Sequence, residues 1–208
     1  MIRKFKNLFY RIRHGTLFEA LQYRLESVGI NVSPYYWVQE GLSIDDIAEP
    51  QGNFESYLFE FFGHEEIKTI VESKIWKRSE EELLSRLQDG KECFGAKYGE
   101  EIVAFMWIDF KESNCKWNKF PLKDNEAYLY EMFTMKPFRG KGIAPYLRYR
   151  SYQVLKDLGR DKLYSYSDFF NSPAINFKKK LNVKFLKLGL YIELYKKYHW
   201  NWTIKNYS

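Results

Sequence analysis

Residues 101–110 constrain the fold more than any other stretch, because they are apolar at both parities. Ile102, Ala104, Met106 and Ile108 alternate with Val103, Phe105 and Trp107. A strand with one solvated face alternates apolar and polar residues, so this pattern predicts a strand buried on both sides. Residues 92–98 read as its partner across the turn Gly99-Glu100, giving a hairpin over Glu92–Phe110. Before it, Ile30–Val38 and Tyr57–Phe62 read as extended, and Glu65–Lys77 and Ser79–Leu87 as helices. Ser79 followed by Glu82 is a capping-box signature, and Asp89-Gly90 closes that helix. After it, Lys111–Asn125 reads as a polar loop and Glu126–Met135 as a strand. A Gly-rich turn and a helix from about Gly142 to Leu158 come next. A strand at Lys162–Ser167, a helix at Asn171–Leu181 and one extended stretch at Val183–Trp202 complete the chain. Strands that first pair as hairpins and then alternate with helices predict an α+β fold. Its central sheet is mixed and mostly antiparallel, flanked by helices, with one parallel crossover.

The chain of 208 residues suits one large domain or a domain with an extension, and it buries about 70% of its unfolded surface without staples. We expect residues 1–90 to form an N-terminal α/β extension and the first elements. Residues 91–208 form the core of the same compact unit. With 17 Tyr, 17 Phe and 6 Trp among the 45% apolar residues, disordered and linker-like classes are excluded. No run approaches the roughly 20 apolar residues of a membrane-spanning helix. The two cysteines, Cys93 and Cys115, exclude a disulfide scaffold or a four-cysteine zinc site. They fit a reducing, cytoplasmic setting. Neither has a neighbouring His, and the three histidines are scattered, so neither a thiol nucleophile nor a metal is expected.

The net charge of +6 is unevenly spread. Residues 1–13 carry +5, residues 178–208 carry +7, and the remainder carries −6. Basic ends around an acidic centre are a poor match to a nucleic-acid-binding face. They suit an anionic cofactor, membrane or partner. Ile2, Phe5, Leu8, Phe9 and Ile12 recur at helical spacing among Arg3, Lys4, Lys6, Arg11 and Arg13. That amphipathic segment is expected to pack on its own domain, with peripheral contact of residues 1–14 with an anionic membrane as the alternative.

The segment that carries chemistry runs from Thr134 to Pro145. A strand enters Arg139-Gly140-Lys141-Gly142 and passes straight into a helix whose first turn holds Pro145. Glycines bring backbone N–H groups close to a ligand, and a helix start adds unpaired donors and partial positive charge. A phosphate or pyrophosphate is the natural occupant. A Walker loop fails because Gly142 stands where Ser or Thr is required. A dinucleotide fingerprint lacks its third glycine at Pro145, although Asp161 lies at the right distance. The pattern Arg/Gln-x-x-Gly-x-Gly/Ala is met in full by Arg139-Gly140-Lys141-Gly142-Ile143-Ala144.

On this motif, on the order of elements and on Asn171-Ser172-Pro173-Ala174, the chain resembles the GNAT acyltransferase superfamily over roughly Leu87 to Leu194. The resemblance implies an N-acetyltransferase that moves acetyl from acetyl-CoA, a co-substrate, to a primary amine by direct attack in a ternary complex. It implies that the backbone of Phe133, Thr134 and Met135 holds the pantetheine arm and acetyl carbonyl. Arg139, Gly140, Lys141, Gly142, Ile143 and Ala144 would cradle the pyrophosphate, and Asn171 would contact the cofactor arm. Where many members place a tyrosine that protonates the leaving thiolate, this chain has Lys178.

Glu131 stands in an otherwise apolar strand, and there it is either a buried general base or a carboxylate that faces solvent or an ion-pair partner. Asp168 is the rival base, or the cap of the following helix. The acid is Lys178, one of the 17 tyrosines or solvent, and Lys178–Lys180 otherwise reads as a solvated or CoA-phosphate-facing charge run. Tyr35, Tyr36, Trp37 and Tyr57 read as core or as lining for the acceptor. The acceptor is expected to be a small-molecule amine, with an anionic amino-sugar as one form. The alternative is a non-catalytic module on the same fold that holds CoA or docks a partner. The sequence does not fix the oligomeric state.

Overall fold

Along the chain, residues 24–27 are helical and turn at Gly29 (φ +82°) into β1 (Ile30–Glu40). The computed structural model describes residues 22, 24–41, 47–76, 78–116 and 118–207. The amphipathic segment expected at residues 1–14 lies outside those residues. β2 (Tyr57–Phe62) leads into α1 (His64–Glu72) and α2 (Glu80–Gln88). α1 is shorter than its periodicity suggests because Lys74 takes a left-handed φ of +52° and its N–H turns back to the Val71 carbonyl. Ser79 caps α2 as expected, its Oγ accepting from the Glu82 N–H at 3.1 Å. Gly90 (φ +81°) ends that helix.

β3 (Glu92–Tyr98) and β4 (Glu101–Asp109) form the expected hairpin around Gly99. The segment read as a polar loop instead contains a second hairpin, β5 (Glu112–Cys115) and β6 (Asn118–Pro121). Its polar residues hid it. Ser113 is fully buried because its hydroxyl donates to the Asn118 carbonyl. β7 (Glu126–Thr134) and a 3-10 turn over Lys136–Phe138 precede α3 (Ile143–Asp157). β8 (Lys162–Asp168), α4 (Ser172–Lys180), β9 (Lys184–Leu194) and β10 (Tyr198–Asn206) follow. The final extended stretch is thus two strands, split where Tyr195 and Lys196 adopt left-handed φ values of +53° and +56°.

The chain divides into two compact units, Met1–Gln39 with Ser165–Ser208, and Glu40–Tyr164. In the second unit the strand order is β2-β3-β4-β7-β8, and in the first it is β8-β1-β9-β10. The ladders β2–β3, β3–β4, β4–β7, β1–β9 and β9–β10 are antiparallel, and β7–β8 is parallel. This is the mixed, mostly antiparallel α+β architecture that the hairpin pattern implied. β4 is buried on both faces from Ile102 to Asp109, as its double-parity pattern required. Each large side chain buried there contributes about 1.5–3 kcal/mol. In the other unit Tyr35 and Trp37 are buried, which assigns them to its core.

Candidate functional site

β4 and β7 pair Trp107 with Tyr130 and Phe105 with Phe133. One residue on β4, Met106, therefore faces two on β7, Glu131 and Met132. This is a β-bulge, and Glu131 takes its left-handed backbone, φ +46°. Such a conformation costs a non-glycine residue about 1–3 kcal/mol and persists only where its surroundings hold it. Two arginines do so here. Arg78 Nη2 donates to Glu131 Oε1 at 2.7 Å, and Arg86 Nη1 donates to Oε2 at 2.6 Å. Arg86 also bonds Glu82 at 2.9 Å and lies 5.1–5.8 Å from the ring centres of Trp107, Tyr130 and Trp76. Burial acts to lower the Arg86 pKa, but the hydrogen bond and charge of Glu131 prevail and the net shift is upward.

Beyond the bulge, the Met135 N–H donates to the Val103 carbonyl at 2.8 Å. Antiparallel pairs alternate between hydrogen-bonded and open positions. Phe133 therefore also spends its N–H on β4, whereas Thr134, opposite Ala104, turns its N–H and C=O to the other edge. That edge pairs with β8 only over Glu126–Tyr128. Of the three backbone donors expected to face a ligand, the ladder leaves Thr134. Its carbonyl accepts from Arg139 Nε at 3.0 Å, which draws the start of the turn back onto β7. The Arg139 guanidinium lies 5.4 Å from the centre of the Phe133 ring.

The turn itself bends at Gly140 (φ +76°) and Gly142 (φ +79°), the latter being the N-cap of α3. Glycine has no capping side chain, and Pro145 has no N–H to satisfy. The first bond into the helix is from the Tyr146 N–H to the Gly142 carbonyl, 3.2 Å. Among the described residues, none accepts from the N–H groups of Gly140, Lys141, Gly142, Ile143 or Ala144. Five backbone N–H groups thus stand at or just before the positive end of a 15-residue helix, and the Lys141 ammonium lies 4.9 Å from the centre of the Phe138 ring. The space above Gly140 is open. These features fit a diphosphate. A cleft of 470 Å³ lies alongside, lined by Glu49, Gln51, Phe54 and Tyr146 among others. Phe54 stacks on Tyr146 with ring centres 3.9 Å apart, and the Tyr146 hydroxyl donates to Glu49 at 2.8 Å. No spacing signal marks this cleft, because its walls come from segments nearly a hundred residues apart.

The other expected site residues come together in the unit that holds α4. Asp168 Oδ1 accepts from the Phe170 N–H at 2.9 Å, and Asn171 Oδ1 caps α4 through the Ala174 N–H at 3.1 Å. Lys178 does not belong to a solvated run. It is 2% exposed, and its Nζ donates to Ser165 Oγ at 2.6 Å and to the Tyr166 carbonyl at 2.9 Å. Lys179 and Lys180 are exposed. Both cysteines are buried, and burial pushes the Cys93 thiol far up, away from nucleophilic use. Among the described residues, no three His, Cys, Asp or Glu side chains converge as metal ligands.

A mixed sheet in which a bulged strand runs into an anion-receiving turn and helix defines a class of α+β fold. The sequence profile of the acetyltransferase (GNAT) family matches residues 54–182, well over half of the chain. The protein belongs to the GNAT acetyltransferase family. No curated protein matches it in sequence. Solved structures similar to it include a Drosophila protein at 10% identity and TM-score 0.57, covering 86% of this chain and 57% of that one. A conserved Staphylococcus epidermidis protein of unknown function aligns at 10% identity and TM-score 0.56, covering 85% and 67%. A GNAT-family protein from Novosphingobium aromaticivorans aligns at 16% identity and TM-score 0.53, covering 80% and 66%. The chain thus spans little more than half the length of the Drosophila protein. At these identities the likeness is one of fold.

Proposed function

We propose that the protein is an N-acetyltransferase that moves an acetyl group from acetyl-CoA to a primary amine within a ternary complex. The observation that carries this reading is the turn at residues 139–144, where five N–H groups without acceptors among the described residues meet two left-handed glycines and a helix start. Acetyl-CoA supplies the activated thioester. The chain's own part is binding, orientation and charge stabilisation. Gly140 to Ala144 would hold the diphosphate, with Arg139 and Lys141 adding charge. The Thr134 N–H, facing the unpaired edge of β7, would donate to the thioester carbonyl as negative charge develops on its oxygen. Holding amine and thioester in register supplies much of the remaining acceleration.

The role of Glu131 follows from its partners. Both carboxylate oxygens are spent on guanidinium groups, so proton acceptance would break a charge-assisted pair. Glu131 is better read as the residue that fixes the bulge, and through it Thr134, than as the general base. Asp168, Asn171 and Lys178 keep their proposed cofactor and proton-transfer roles as secondary assignments. Acceptor specificity is assigned to a small-molecule amine. The occupied Glu131 carboxylate favours one second reading, a module that holds CoA without transfer.

Free-thiol release from acetyl-CoA, measured against a panel of amino-sugars, polyamines and peptide amines, tests both readings. Amine-dependent release with an acetylated product establishes the enzyme. Retained CoA in a native mass spectrum, with no release for any amine, establishes the module.

A further inference from the structure

The β9–β10 hairpin is the most conspicuous surface not used by this reading. β10 is exposed at every residue, and its outer edge has no ladder partner among the described residues. Tyr198, Trp200 and Trp202 stand on one face, opposite Leu194, Ile192 and Leu190 of β9. Their exposure runs from 43% to 52%, and the planes of Trp200 and Trp202 lie within 4° of each other. Tyr195 at the tip is 71% exposed. Residues 195–208 contain Lys196, Lys197 and Lys205 and no acidic residue. An exposed edge with large apolar side chains invites association, so its charge decides what covers it. A second copy would set lysine-bearing strands side by side with no acid to answer them. A single-stranded nucleic acid calls for a groove with polar neighbours, whereas the residues flanking the ring row are aliphatic.

Tyr and Trp beside Lys, over an aliphatic floor, match the zone between lipid headgroups and acyl chains. We propose that the β9–β10 hairpin docks the protein on an anionic lipid surface. Tyr198, Trp200 and Trp202 enter the interfacial zone, and Lys196, Lys197 and Lys205 meet the headgroups. The full chain should co-sediment with phosphatidylglycerol-containing vesicles and not with phosphatidylcholine alone. Added salt should weaken the binding. Trp200→Ser with Trp202→Ser should lower the partition coefficient at least tenfold. Lys196→Gln with Lys197→Gln, confined to an exposed turn that leaves folding intact, should lower it by about fivefold per lysine. Equal partition of wild type and the lysine variant overturns the proposal. So does absence of vesicle binding, self-association abolished by the tryptophan variant, or tighter binding to a single-stranded oligonucleotide than to vesicles.

Discussion

Arg86 and Glu131 are joined at 2.6 Å across the one irregular point of the β4–β7 ladder, and the pair holds Glu131 in a left-handed backbone. The consequence is a division of labour along β7. The bulge re-aims the residues after it, and Thr134, three positions on, presents its N–H at the strand's unpaired edge. Glu131→Gln keeps the shape but removes the charge that compensates a guanidinium exposed at only 13%. Stability should fall by about 1–3 kcal/mol. KM for acetyl-CoA should rise about tenfold, because the turn follows the bulge. The acid limb of the kcat–pH profile should persist. A general base in this position predicts the opposite, a kcat loss of roughly 10² to 10⁴ with disappearance of that limb.

Glu40 is fully buried and accepts from the Tyr152 hydroxyl, with Arg148 Nε 3.4 Å away. Burial, then the Glu40 charge, raises the Tyr152 pKa well above its ordinary value, so Tyr152 stays a donor. Glu40→Ala leaves the Arg148 cation, itself 3% exposed, without this compensation. The loss should be about 3–5 kcal/mol, read as a lowered urea midpoint. Glu40→Leu together with Arg148→Met, which removes both charges, should recover most of it. A single variant as stable as wild type would show that the cluster is solvated.

Lys97 binds both Glu60 and Glu66 at 2.8 Å. The hydrogen bond from Lys97, aided by the Gly63 N–H, holds the Glu66 carboxyl below its usual range. A depressed folded-state pKa contributes stability above the unfolded value, about 4.3, and that contribution is lost as pH falls through the folded value. The Lys97 ammonium is raised by Glu60 and then Glu66, so its share is lost only as pH rises through a value above the usual lysine range. Glu66→Gln should therefore flatten the decline in stability between pH 5 and pH 3. Parallel declines for wild type and variant would remove the assignment.

Legibility followed the range of the interactions. The double-parity run at 101–110, the cap at Ser79 and the glycines at 140 and 142 are local statements, and each element formed as its residues dictate. Glu131 was visible as an anomaly in an apolar strand, but its partners Arg78 and Arg86 lie 53 and 45 residues away. Only the fold brings them to it. The bulge has no local signature either, since Glu131 is not a glycine and nothing in residues 128–134 marks a register shift. Lys178 looked like one of three solvated lysines because sequence neighbours say nothing of Ser165, thirteen residues earlier, which receives it. The β5–β6 hairpin escaped for a related reason, being held by backbone pairing and a buried serine rather than by apolar alternation.

Gly142 is where the cofactor reading is most exposed to test. Its φ of +79° disfavours any side chain, whereas a Cβ there would stand 3.4 Å from Phe54 Cζ in ordinary contact, so the strain is that of the backbone. Gly142→Asp adds this strain and also places a carboxylate among the N–H donors meant for a diphosphate. Acetyl-CoA affinity by calorimetry should drop more than about 100-fold, each tenfold loss being 1.4 kcal/mol. Gly99→Asp is the matched control. That glycine is also left-handed, φ +58°, but its Cβ would meet nothing within 4 Å and it lies in the β3–β4 turn. The control should lose a comparable amount of backbone stability and keep its affinity. Equal affinity in wild type and Gly142→Asp would remove the phosphate role of the turn, and with it the ground for acetyl transfer.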